Sequence, residues 1–179
     1  MLAAIVRSSL IRLIPVGMVM LALQRTVFIE IQVSGVVVQV VLALVAAAGA
    51  AGGSERGAVA GFTLGIMYDL AEGTPVGSTA IAFTLAGVVA GLLALIAADP
   101  QWWLHAIFVA IGSAVGEAML PVVRIFIGEE NPWPSEMPKI VAIVAIAAML
   151  MSPVLVPLGR WCLRIRGPEW TAPTDLPPV

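Results

Sequence analysis

Charge is what this chain has least of. Nine Lys and Arg and eleven Asp and Glu make up 11% of its 179 residues, against roughly 25% in a soluble domain. The single cysteine, Cys162, excludes an internal disulfide and any cysteine-based metal cluster, and the single histidine, His105, excludes a His-rich metal or redox centre. A net charge of −2 with no basic stripe argues against a nucleic-acid partner. No nucleophile–base pairing, phosphate loop or metal-ligand spacing stands out, so neither an enzyme nor a cofactor is expected. What the chain does have is apolar side chains: 60% of its residues, with a mean hydropathy of +1.05. A soluble fold of this length has too little interior to hide that surface, so the chain belongs in a bilayer.

Six apolar stretches are separated by breakers, at about Ser9–Ile29, Ser34–Ala51, Gly57–Thr74, Ser78–Ala98, Pro100–Ile127 and Lys139–Leu158. All but the third approach the ~20 residues that a ~30 Å hydrocarbon layer requires. Arg7 and Arg12 before the run Leu13–Leu23 look like a secretory signal, but no small-x-small cleavage site follows, and the segment reads as a retained first helix. Asp99-Pro100 reads as an N-cap with proline at the first position of the fifth helix. The expectation is an all-α polytopic helix bundle of about six transmembrane helices over residues 1–166, with a disordered cytoplasmic tail at 167–179.

Arg7, Arg12, Arg56, Arg160, Arg164 and Arg166 fall on one side and Arg25, Arg124 and Lys139 near the other, which makes both termini cytoplasmic. Trp102, Trp103 and Trp161 then mark the inner interface and Trp133 the outer. His105 reads as an interfacial residue, and the acidic, proline-rich stretch Gly128–Pro138 as a stiff outer turn that would also suit an external partner.

Small residues recur at helical spacing: Gly57, Gly61 and Gly65 in the third span, Gly87 and Gly91 in the fourth, Gly112 and Gly116 in the fifth. Such stripes let helices approach closely in lipid. They fit packing inside the bundle or docking of a partner's transmembrane helix.

The stretch "GIMYDLAEGTPVGST" places Asp69 and Glu72 at the end of the third span. From Gly57 to Asp69 is only about 18 Å of helix, so the helix must run on towards Gly73 and leaves Asp69 about a turn below the outer surface. A charge there costs up to roughly 2.5–3.5 kcal/mol at the bilayer centre, and a helix C-terminus disfavours an anion by a further ~0.3–1 kcal/mol. Two broken rules imply a compensating partner. The expected answer is an outer-leaflet charge network of Arg25, Asp69, Glu72, Glu117 and Arg124, with Gln24 and Tyr68 as hydrogen-bonders. Solvation in the headgroup layer and a transported ion or proton stay open beside it.

The run "GFTLGIMYDLAEGTPVGSTAIAFTLAGVVAGLL", residues 61–93, resembles the central signature of the MreD family of rod shape-determining membrane proteins. There a glycine-rich helix ends in an aspartate, followed by a Gly-x-Pro-x-Gly turn and a second helix with small residues. Gly61, Gly65, Asp69, Gly73, Pro75 and Gly77 occupy those positions in order, and the glutamine in "LALQRTVF", residues 21–28, matches the end of the family's first span. The motif covers about a fifth of the chain; length and hydropathy agree along the rest.

The resemblance implies a multi-pass protein of the bacterial cytoplasmic membrane that binds MreC and supports side-wall peptidoglycan synthesis, with RodA, the elongation transpeptidase and MreB as indirect partners. It also implies a fold similar to the substrate-binding subunits of energy-coupling-factor vitamin transporters. Such a vitamin-binding subunit is the alternative function. Against it, residues 9–28 lack the Ala-x-x-x-Ala patch with which those subunits dock, and few aromatic or polar groups are present to line a cavity. A proton-coupled transporter using Asp69 or Glu117 is a third reading, without the internal repeats that often mark transporters.

Overall fold

The computed structural model describes residues 2–28, 30, 32–97, 101–128 and 133–163. These contain six α-helices: α1 (Leu2–Leu23), α2 (Val40–Gly52), α3 (Ser54–Glu72), α4 (Ser78–Ile96), α5 (Trp102–Phe126) and α6 (Met137–Cys162). Three of them, α4, α5 and α6, are long and apolar enough to cross a membrane, as a helical membrane bundle requires. The tail 167–179, Asp99-Pro100 and part of the 128–138 turn lie outside the described residues. The residue that precedes α5 is Gln101, one beyond the proline expected to begin that helix.

The main departure from the sequence reading is the second span. Ser34–Gln39 is not helical. Gln32–Val33 and Val36–Val37 form a small antiparallel hairpin (β1 and β2), and α2 begins only at Val40. The reason is local. Ser34 and Gly35 both take positive φ, 54° and 81°, the geometry of a two-residue hairpin turn, and the flanking valines favour extended backbone.

The thirteen residues of α2 span about 20 Å, short of a hydrocarbon layer, yet every residue from Val40 to Ala50 is buried. A helix apolar on all sides belongs at the centre of a bundle. Here α2 is surrounded by α3, α4, α5 and α6, with α1 alongside. The outer helices turn their large apolar side chains outward, among them Met18, Leu92, Leu95, Ile146, Leu150 and Val154.

The tightest pair is α3 with α4. A methyl group at Gly57 would meet the backbone of Gly87, one at Gly61 the carbonyl of Phe83, and one at Gly65 the Cα of Ala80. Gly91 rests on the backbone of Ser54, while Gly112 and Gly116 admit Ala86 and its neighbours to α5. All the glycines picked out by spacing are thus occupied by contacts within the chain, which removes them as a docking stripe for a partner helix. Gly49 of α2, hidden in an alanine run, also lies against Gly87, so α2, α3 and α4 meet at one point where only glycine fits.

Candidate functional site

The α3–α4 connection is built around Asp69. Gly73 takes a left-handed conformation (φ 70°) and closes α3, with its N–H and that of Thr74 both donating to the Asp69 carbonyl. Pro75 then accepts from the Ser78 N–H at 3.0 Å, and α4 starts after Gly77, whose φ of 101° suits glycine. Glycine before a helix carries no side chain to cap it. The carboxylate of Asp69 does this instead: Oδ2 accepts from Gly77 N at 2.7 Å and Oδ1 from Thr79 N at 3.1 Å. Thr74 Oγ1 at 2.8 Å and Ser78 Oγ at 3.2 Å complete the set.

Asp69 is fully buried, and its charge is answered by the amide-rich N-terminus of α4 and two hydroxyls. This corrects the expectation of a guanidinium partner. Three of its hydrogen bonds fall on Oδ1 and one on Oδ2, with Thr79 N also 3.3 Å from Oδ2. Placed between two helix ends, the same residue terminates α3 with its carbonyl and initiates α4 with its side chain.

Gln24 repeats the device. The helix α1 loosens into a single π-type turn at Gln24–Phe28. From there the Gln24 side chain accepts the Val41 N–H at 3.1 Å, capping α2, and donates to the Tyr68 hydroxyl over a long 3.5 Å. The Tyr68 ring packs against Phe83 of α4 with centroids 5.5 Å apart. Two helices at this end of the bundle therefore begin on side chains supplied by the helix before them.

Of the remaining charges, Arg25 meets Glu72 at 3.5 Å and donates to the Ala71 carbonyl at 2.6 Å, where a cation suits the C-terminus of α3. Tyr68 lies within electrostatic reach of Arg25, Glu72, Glu117 and Arg124, and Glu117 within reach of Arg124 on its own helix. Between those two, Pro121 is buried inside α5. Glu117 is only 8% exposed, and its Oε2 has no hydrogen-bond partner among the described residues; neither has Ser113 Oγ, one turn earlier. Of the five residues proposed as one network, Arg25 and Glu72 form an ion pair, Glu117 and Arg124 act on Tyr68 and on each other through the field, and Asp69 takes its hydrogen bonds from uncharged donors.

At the opposite end, His105 is buried among its neighbours. It bonds to Gln101 and Arg160, a contact that no spacing in the sequence announced. Arg12 lies over the Trp161 ring at 4.8 Å at the same end. Among the described residues no three His, Cys, Asp or Glu side chains converge as a metal site would need.

Comparison with known proteins finds no matching family model, no matching curated protein and no matching solved structure.

Proposed function

We propose that this chain is a non-enzymatic, multi-pass component of the bacterial cytoplasmic membrane that acts in the cell-elongation complex, holding the transmembrane helix of MreC and supporting side-wall peptidoglycan synthesis. The observation that carries the reading is the behaviour of the MreD-like motif. Asp69, Gly73 and Gly77 form one hydrogen-bonded turn, and Gly61 and Gly65 seat α3 on α4 directly before it. Residues matched as a motif by resemblance also work as one structural unit, as suits a rigid scaffold.

In this reading the six helices all cross, with both termini cytoplasmic. The short α2 completes its passage with the extended segment before it; Val36 and Val38 are buried, and non-helical backbone at membrane depth is tolerated where protein shields it. With the glycine stripes used internally, a partner helix meets the outward apolar faces. MreB, RodA and the elongation transpeptidase join through MreC.

The test is co-expression of the tagged chain with an MreC-like protein carrying one span and an external coiled coil. Capture of that protein from the membrane, and its loss when its transmembrane helix is replaced by an unrelated one, is the expected result. Failure to co-purify, or a vitamin bound to the purified chain, overturns the reading in favour of the transporter-subunit alternative.

A further inference from the structure

We infer that Arg160, positioned by His105, is a binding site for the phosphate of an anionic membrane lipid. Nδ1 of His105 lies 3.2 Å from the carbonyl oxygen of Gln101, which can only accept, so Nδ1 carries the hydrogen. Nε2 is then a lone pair, and the Arg160 Nη2 at 3.1 Å donates to it. The imidazole is neutral in this arrangement. It orients the guanidinium without cancelling its charge, and one donated hydrogen leaves four of the five N–H groups of an arginine.

The pair stands between two cavities. One, of about 360 Å³, lies where α2 turns into α3 beside α4 and is walled by Ala50, Gly52, Gly53, Gly91 and Ala94, with His105 and Arg160. Its walls are small residues, which leave the volume open. The other, of about 310 Å³, lies between α5 and α6 and is lined by Trp102, Pro153, Val156 and Pro157, with the same His105 and Arg160. Each reaches the lower end of the size range for small-molecule sites, roughly 300–1,000 Å³.

A cation shared by a small-walled pocket and an apolar one fits an amphiphile: an oxyanion head held by the guanidinium and a hydrocarbon chain along Val156 and the prolines. Trp102 beside the second cavity is 78% exposed, the disposition of an aromatic residue at a membrane interface. These features favour a lipid over a free anion, and they do not rest on the cell-elongation reading.

The full chain, purified in neutral detergent and stripped of lipid, is titrated with dioleoylphosphatidylglycerol, dioleoylphosphatidylcholine or inorganic phosphate while its unfolding temperature and retained lipid are measured. Phosphatidylglycerol is expected to raise the unfolding temperature and to be retained. Arg160→Gln should raise its half-saturating concentration about tenfold or more, as loss of a charge-assisted contact implies. Arg160→Lys should recover part of that loss, and Arg12→Gln, which removes the guanidinium over Trp161, should change nothing. Should Arg160→Gln not remain monodisperse, Leu95→Trp at the rim of the first cavity serves instead, with weaker binding expected. Equal titration of wild type and Arg160→Gln, or of the zwitterionic and anionic lipids, overturns the site. Equal protection by inorganic phosphate alone overturns the lipid assignment in favour of a soluble phosphate.

Discussion

Asp69 and Glu117 are both buried carboxylates in an apolar bundle, and the fold treats them in opposite ways. Asp69 takes hydrogen bonds from Thr74, Gly77, Ser78 and Thr79. Glu117 leaves an oxygen without a partner among the described residues. A carboxylate saturated by donors from the start of the next helix contributes to the hairpin that carries it; one left short of donors adds no comparable hold. Burial alone therefore does not say whether an acid in a membrane helix is structural. The donors around it do.

The largest expected effect comes from breaking the saturated member. Asp69→Ala leaves two amides at the head of α4 without an acceptor and should lower stability by roughly 2–5 kcal/mol, read as a fall in the unfolding temperature of the solubilised protein. Ser78→Ala removes one of several bonds to the same carboxylate and should cost about 1 kcal/mol in the same assay. Arg25→Ala removes an ion pair whose partners are 53% and 31% exposed, along with the bond to Ala71. It should cost no more than ~0.2–1 kcal/mol and matter less as salt is raised. Glu117→Gln sharpens the contrast from the other side. It exchanges a poorly partnered acid for a neutral amide of similar shape and should leave stability within about 0.5 kcal/mol of wild type or raise it.

Much of the bundle is legible because hydropathy reports where apolar segments begin and end: α4 keeps within two residues of its expected bounds, whereas α6 begins two residues early and runs four beyond Leu158. The second span departs from its hydropathy because a run of valines is apolar in a strand as well as in a helix. The Ser34-Gly35 pair between valines was the signal for a hairpin. Helix length places Asp69 about a turn below the outer surface, but its full burial inside the protein is not readable from that length. Its partners are not either, because a buried acid points to opposite charge, whereas the donors here are backbone amides and hydroxyls ten residues or fewer ahead. A helix opening on Gly77 needs an acceptor from elsewhere, and that was the clue. Gly49 was lost among alanines, and the His105–Arg160 contact joins residues 55 apart in sequence, beyond the reach of any local pattern.

The Asp69 carboxylate holds the start of α4 onto the end of α3, and amide hydrogen exchange reads that hold residue by residue. Asp69→Asn retains one acceptor oxygen where the carboxylate offers two. Stapling by Asp69 predicts faster exchange at Gly77 and Thr79 in that variant, with the amides of α6 unchanged. Protection at Gly77 and Thr79 equal to wild type would contradict it.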